Sequence, residues 1–176
     1  MSADATMPVG IVIERRKSDH PWQDYTWHPI GVLPNLAHTA SERWKLLKEG
    51  DGWSHFLAGS LRLELYRGET EGYRVNLSQE PPVVYTVLRR GEEAEDMDVE
   101  PFLATVCPYE ATVYLESSDE IVEGVPMPPE IFAWVTEFVE RYHVDVPFKK
   151  RRNRRHDDNE FGGRGPPHGG NPRGDS

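Results

Sequence analysis

A chain of 176 residues is about the length of one domain, enough for one sizeable core. Its single cysteine, Cys107, rules out an internal disulfide framework and a cysteine-based zinc site, and no apolar run approaches the roughly 18 residues of a membrane-spanning helix. The net charge of −10 is unevenly spread: residues 91–140 carry 14 acidic side chains and no basic one, whereas residues 149–176 carry 8 basic and 4 acidic ones.

Met1 to Thr6 is small and polar and is expected to be a disordered lead. Val9, Ile11 and Ile13 then alternate with Gly10, Val12 and Glu14, a strand pattern bounded by Pro8 and by Ser18-Asp19-His20-Pro21. Arg15-Arg16 is followed by a polar stretch rather than an apolar segment, so it does not read as an export signal, and a cytoplasmic protein is expected. After the aromatic and polar stretch Trp22 to Trp27, the residues Ile30, Val32 and Leu33 predict a second strand ending near Pro34-Asn35. Residues 39–58 read two ways. Thr39-Ala40-Ser41-Glu42 is a capping box that would start a helix, whereas Trp44–Glu49, Asp51-Gly52 and Trp53–Ala58 form a hairpin with an Asp-Gly turn. The hairpin is the preferred reading.

Leu61, Leu63 and Leu65 alternate with Arg62, Glu64 and Tyr66, giving another strand. Gly68 to Gly72 reads as a turn, and Tyr73, Val75 and Leu77 against Arg74, Asn76 and Ser78 as a further strand. Beyond Pro81-Pro82, Val83–Leu88 is apolar or β-branched on both faces, which fits a central strand. Gly91–Asp98 is an acidic loop. Phe102–Val106 predicts one more strand, Pro108–Glu116 a short helix, and Ile121–Val125 a lead into a last helix. That helix is the plainest signal in the chain. Ile131, Trp134, Val135, Phe138, Val139 and Tyr142 fall on one helical face, Pro128-Pro129 suits the start, and Pro147 ends the pattern. Residues 149–176, basic and then rich in Gly and Pro, lack the apolar material to fold. The expected organisation is therefore a lead (1–6), one domain (7–148) and a disordered tail (149–176). The expected fold is α+β: an antiparallel meander or partly closed barrel, packed by the C-terminal helix, with one short extra helix.

No chemical reaction is written in the residues. The seven histidines lack metal-site spacing, so no metal and no cofactor is expected. Cys107 sits in an apolar run and reads as an inert core residue. Glu92, Glu93, Glu95, Asp96, Asp98 and Glu100 crowd one loop without the spacing of a calcium loop. Two groups remain as binding candidates. Arg15, Arg16, Trp22, Trp27, Arg74, Arg89 and Arg90 would form an anion or partner site if the strand ends converge. Lys149, Lys150, Arg151, Arg152, Arg154 and Arg155 form a basic cluster that suits an acidic partner surface. Nucleic acid is disfavoured, since the acidic body repels phosphate and no aromatic residues interleave with the arginines of the tail.

Taken together, several stretches resemble one uncharacterised bacterial family. They are Met7-Pro8-Val9-Gly10-Ile11-Val12-Ile13-Glu14-Arg15-Arg16, Trp22, Trp27, Gly31-Val32-Leu33-Pro34, Glu69-Thr70-Glu71-Gly72-Tyr73-Arg74-Val75-Asn76-Leu77 and Val84-Tyr85-Thr86-Val87-Leu88-Arg89. Pro108-Tyr109-Glu110-Ala111, Val125-Pro126-Met127-Pro128 and Pro147-Phe148-Lys149-Lys150-Arg151-Arg152 complete the match. Members of that family are typically encoded beside formate dehydrogenase genes, and some bear the label molybdopterin-guanine dinucleotide biosynthesis protein A. The family has no agreed catalytic residues. A nucleotidyltransferase of the labelled kind needs a glycine-rich loop after its first strand to hold triphosphate. Here Arg15-Arg16-Lys17-Ser18-Asp19-His20-Pro21 follows instead. The resemblance thus implies a non-enzymatic accessory or assembly protein of a molybdenum- or tungsten-dependent formate dehydrogenase, with one of its subunits as partner. The alternative it implies is an enzyme or carrier acting on the molybdenum cofactor.

Overall fold

In the computed structural model, residues 2–37, 43–91 and 97–145 are described. Met1–Val144 forms one compact unit. Its first sheet is built on β1 (Ala5–Lys17), whose Val9, Ile11 and Ile13 side chains are wholly buried. β1 is flanked on one side by β2 (Tyr25–Pro34) and on the other by β4 (Trp53–Leu65), and β3 (Lys45–Gly50) closes the order β2-β1-β4-β3. All pairings are antiparallel. The hairpin reading of 44–58 therefore holds. Gly52, at φ +76°, supplies the left-handed turn residue, while the capping box of 39–42 lies outside the described residues. The two predicted strands 53–58 and 61–66 are one. A bulge at Ala58 lets Ile11 face Gly59 while Val12 faces Leu57, and Gly59 takes the positive φ of +152°. β1 also begins earlier than expected. Ala5 pairs with Leu65 and the Asp4 amide donates to the Leu65 carbonyl, so the strand reaches into the stretch read as a lead.

The second sheet has the order β6-β5-β7, from β6 (Val99–Thr105), β5 (Val83–Arg90) and β7 (Ile121–Pro126). β5 is central, as its doubly apolar pattern predicts, with Val84, Val87 and Leu88 fully buried. Residues 121–125, expected only to lead into a helix, are paired with β5 as β7. β4 lies beside β6 and β2 beside β7, so both sheets close on one core without forming a closed barrel.

One expected strand is a helix. Tyr73–Leu77 belongs to α1 (Thr70–Leu77), preceded by a short 3-10 turn at Arg67–Glu69. Thr70, Tyr73 and Asn76, three residues apart, are the buried face, and Val75 is exposed. Polar anchors override the apolar alternation. The Tyr73 hydroxyl accepts the Tyr66 amide and donates to Glu69, while Asn76 bonds backbone groups of Val83 and Val106. Among the described residues there are therefore two short extra helices, α1 and the expected α2 (Pro108–Leu115), rather than one. The last helix, α3 (Pro129–Tyr142), buries Ile131, Val135, Phe138 and Val139, as its periodicity predicts. Those side chains join the common core, and α3 lies directly against α1, with the Phe138 ring edge-on to Tyr73 at 6.1 Å.

Candidate functional site

Antiparallel pairing brings the start of β2, the end of β5 and the starts of β6 and β7 to one end of the molecule. A groove of about 790 Å³ opens there. Its aromatic wall comes from the lead-in to β2 and the strand itself: Trp22, Tyr25 and Trp27. Trp27 is a core residue, 5% exposed, whose indole N–H reaches Asp98 Oδ2 at 3.4 Å. Trp22 is 92% exposed, and so presents its whole ring. The rest of the lining includes Arg89 and Arg90 from β5, with Met97, Asp98, Asp119 and Glu120. The Arg89 guanidinium lies 3.4 Å from the centroid of Phe102, which fixes its plane by cation–π attraction. One carboxylate oxygen of Glu120, Oε2, is shielded from solvent and accepts no hydrogen bond.

Of the residues singled out in the sequence, Trp22, Trp27, Arg89 and Arg90 therefore meet in one groove. Arg15 adjoins it, with its guanidinium over the rings of Tyr25 at 4.6 Å, Phe56 at 5.1 Å and Trp27 at 5.9 Å. Arg16 does not join. It is one residue on, hence on the other face of β1, where its Nε donates to Glu14 at 3.0 Å. Glu14 also meets His55 Nε2 at 2.8 Å, and these two bonds, Arg16 first, hold its carboxyl below the usual carboxylate range. Arg74 does not join either: it is carried by α1, and its Nη1 donates to His143 Nε2 at 2.7 Å. The basic cluster Lys149–Arg155 and the acidic residues 92–96 lie outside the described residues. Asp119 and Glu120 were not foreseen, because they reach the groove only through the β7 pairing that their local sequence does not announce.

Other reactive groups stand apart. Cys107 is buried beside a second cavity of about 530 Å³ lined also by Glu69, Gly72 and Glu110, and burial raises its thiol pKa, which works against a reactive thiolate. Among the described residues no His, Cys, Asp and Glu side chains gather in the threes that hold a metal ion. No described helix is long and apolar enough to cross a membrane. The groove offers stacking faces, fixed cations and carboxylates, which is the chemistry of recognition.

No curated protein and no solved structure matches the chain. One family model does, over residues 8–152, and its description is Protein of unknown function (DUF3305). That span takes in every strand and helix described above except the first three residues of β1. The chain belongs to the DUF3305 family.

Proposed function

We propose that this protein is a non-enzymatic accessory protein that holds a segment of a client polypeptide in the groove, and that the client is a subunit of a molybdenum- or tungsten-dependent formate dehydrogenase. The single observation that carries the binding role is Trp22, 92% exposed on the wall of a groove of about 790 Å³. An open tryptophan flanked by Tyr25 and Trp27 is the kind of residue that dominates protein interfaces once it is covered. The choice of client rests on the family resemblance and its gene neighbourhood. The segment that suits the groove is apolar with a basic residue: the rings take the apolar part, and the carboxylates of Asp98 and Asp119 take the cation.

The test is affinity capture from the native host followed by titration of the captured formate dehydrogenase subunit onto the purified protein. Parent protein is expected to bind that subunit. Trp22→Ala, which removes an exposed ring and leaves the core intact, is expected to weaken binding by about 2 kcal/mol or more, a factor of about 30. Failure of the parent to capture any formate dehydrogenase subunit sinks the client assignment. Equal affinity of parent and Trp22→Ala sinks the groove. Copurification of a pterin nucleotide in place of a protein would favour the carrier reading.

A further inference from the structure

A smaller pocket of about 180 Å³ shares Tyr25 with the groove and lies between the end of β1 and the tip of the β3–β4 hairpin. Arg15 and Lys17 enter it from alternate positions of β1, and Ser54 enters from β4, where it is the direct partner of Arg15. Tyr25 and Trp53 wall it. Gly50 lets the Trp53 ring lie flat there, since a Cβ at Gly50 would fall 2.4 Å from the indole.

Among the described residues the side-chain hydrogen-bond donors of this pocket have no internal partner: no carboxylate pairs with the Arg15 guanidinium or the Lys17 ammonium, and no group bonds the Ser54 hydroxyl. Ser54 is nonetheless only 8% exposed. In a chain of 30 acidic residues this is a selective arrangement. On the other face of the same strand Arg16 is neutralised by Glu14, which His55 also contacts. Arg15 is held by three ring faces, from Tyr25, Trp27 and Phe56. Ring contact fixes the guanidinium plane while leaving the N–H groups at its edge undonated, so the fork is preorganised for a planar pair of oxygens.

We propose that this pocket binds a phosphoryl group through Arg15, Lys17 and the Ser54 hydroxyl. Two cations suit a dianion better than the single charge of a carboxylate. The volume lies below the roughly 300 Å³ at which whole small-molecule sites begin, so the pocket takes the terminal group of a ligand whose remainder lies outside it. The pocket shares the Tyr25 ring with the client groove, but its cations and hydroxyl belong to Arg15, Lys17 and Ser54, none of which lines the groove.

The experiment follows backbone amide and indole NMR shifts while inorganic phosphate is titrated at mildly alkaline pH, with chloride holding the ionic strength constant. Saturable shifts centred on Gly52, Trp53 and Ser54 are expected, and acetate should bind more weakly. Arg15→Gln should lower the phosphate affinity about tenfold or more, the usual loss for a charge-assisted hydrogen bond. Arg16→Gln removes the same charge one residue away and should leave affinity within about twofold. Lys17→Gln and Ser54→Ala leave the apolar core intact and should each weaken binding severalfold, which keeps the test decisive if Arg15→Gln fails to fold. Absence of saturable shifts, equal losses in Arg15→Gln and Arg16→Gln, or acetate binding as tightly as phosphate would each overturn the proposal.

Discussion

Asn76 offers the sharpest test of how the middle of this chain is built. Its side chain is fully buried on α1 and makes three hydrogen bonds to main chain. Nδ2 donates to the Val83 carbonyl at 2.7 Å and the Val106 carbonyl at 2.8 Å, and Oδ1 accepts the Val83 amide at 3.0 Å. One amide thus ties the helix to the start of the central strand β5 and to the end of β6. Asn76→Ala removes all three bonds and leaves the backbone groups without partners. Each bond is worth about 1 kcal/mol net, and each orphaned buried group costs about 1–3 kcal/mol, so a total loss of about 3–5 kcal/mol is expected. For a chain of this size that lowers the melting temperature by about 10 °C. Asn76→Asp keeps the shape but turns an oxygen toward the two carbonyls. It should be at least as destabilising at neutral pH, and its folded-state pKa should be raised. With a raised pKa the folded state binds its proton first, so the penalty should shrink as pH falls through that value, when the protonated acid can donate to one carbonyl. Urea unfolding of parent and both variants, followed by circular dichroism at neutral and acid pH, measures this. The strand reading of residues 73–77 turns Asn76 to solvent and predicts changes within about 0.5 kcal/mol. An Asn76→Ala midpoint equal to the parent's would refute the network and the packing of α1 on β5.

Phe138→Ala, which removes a ring packed between Tyr73 and Tyr142, should cost about 3–5 kcal/mol, and an unchanged thermal melt would show that the buried face of α3 is misassigned. Gly72→Ala should destabilise despite the better helix propensity of alanine, because the new Cβ would lie 2.9 Å from Cys107 Sγ; the cost should be about 1–3 kcal/mol, and Cys107→Ala in the same chain should recover part of it. Burial raises the Glu110 pKa, with help from Glu69 and Glu64 and against its bond from Thr105. A raised folded pKa means stability is lost as pH rises from the unfolded value through the folded one, so Glu110→Gln should be more stable than the parent at neutral pH and lose that advantage in acid, as urea midpoints at the two pH values will tell. Purified protein incubated with magnesium, GTP and molybdopterin should form no dinucleotide: β1 runs into an antiparallel β2 through residues 18–24, none of them glycine, and catalytic turnover to product would overturn the non-enzymatic reading.

The parts of this fold that local sequence determined are those whose periodicity has one solution. The six apolar residues on one face of α3 recur at helical spacing over three turns and fit no strand. Val9, Ile11 and Ile13 alternate within a β-branched run, and the Asp-Gly turn joins two strands at close range. The aromatic and arginine residues of the groove could be named by type, but their exposure could not be read, since Trp22 is open and Trp27 is buried. Tertiary structure decided the rest. Tyr73, Val75 and Leu77 alternate, yet eight residues are too few for period alone to separate helix from strand, and burial of Tyr73 and Asn76 against groups more than six residues away settled the matter. The same holds for the binding residues. Arg15 and Arg16 are neighbours in sequence with identical side chains, but strand pleating sends one to a ring of aromatics and the other to Glu14. Ser54 carries no signal of its own and becomes part of a pocket only because the β1–β4 register sets it opposite Arg15. Local pattern is a property of neighbours along the chain, whereas a site is a property of neighbours across it, and long-range strand pairing is what turns the first into the second.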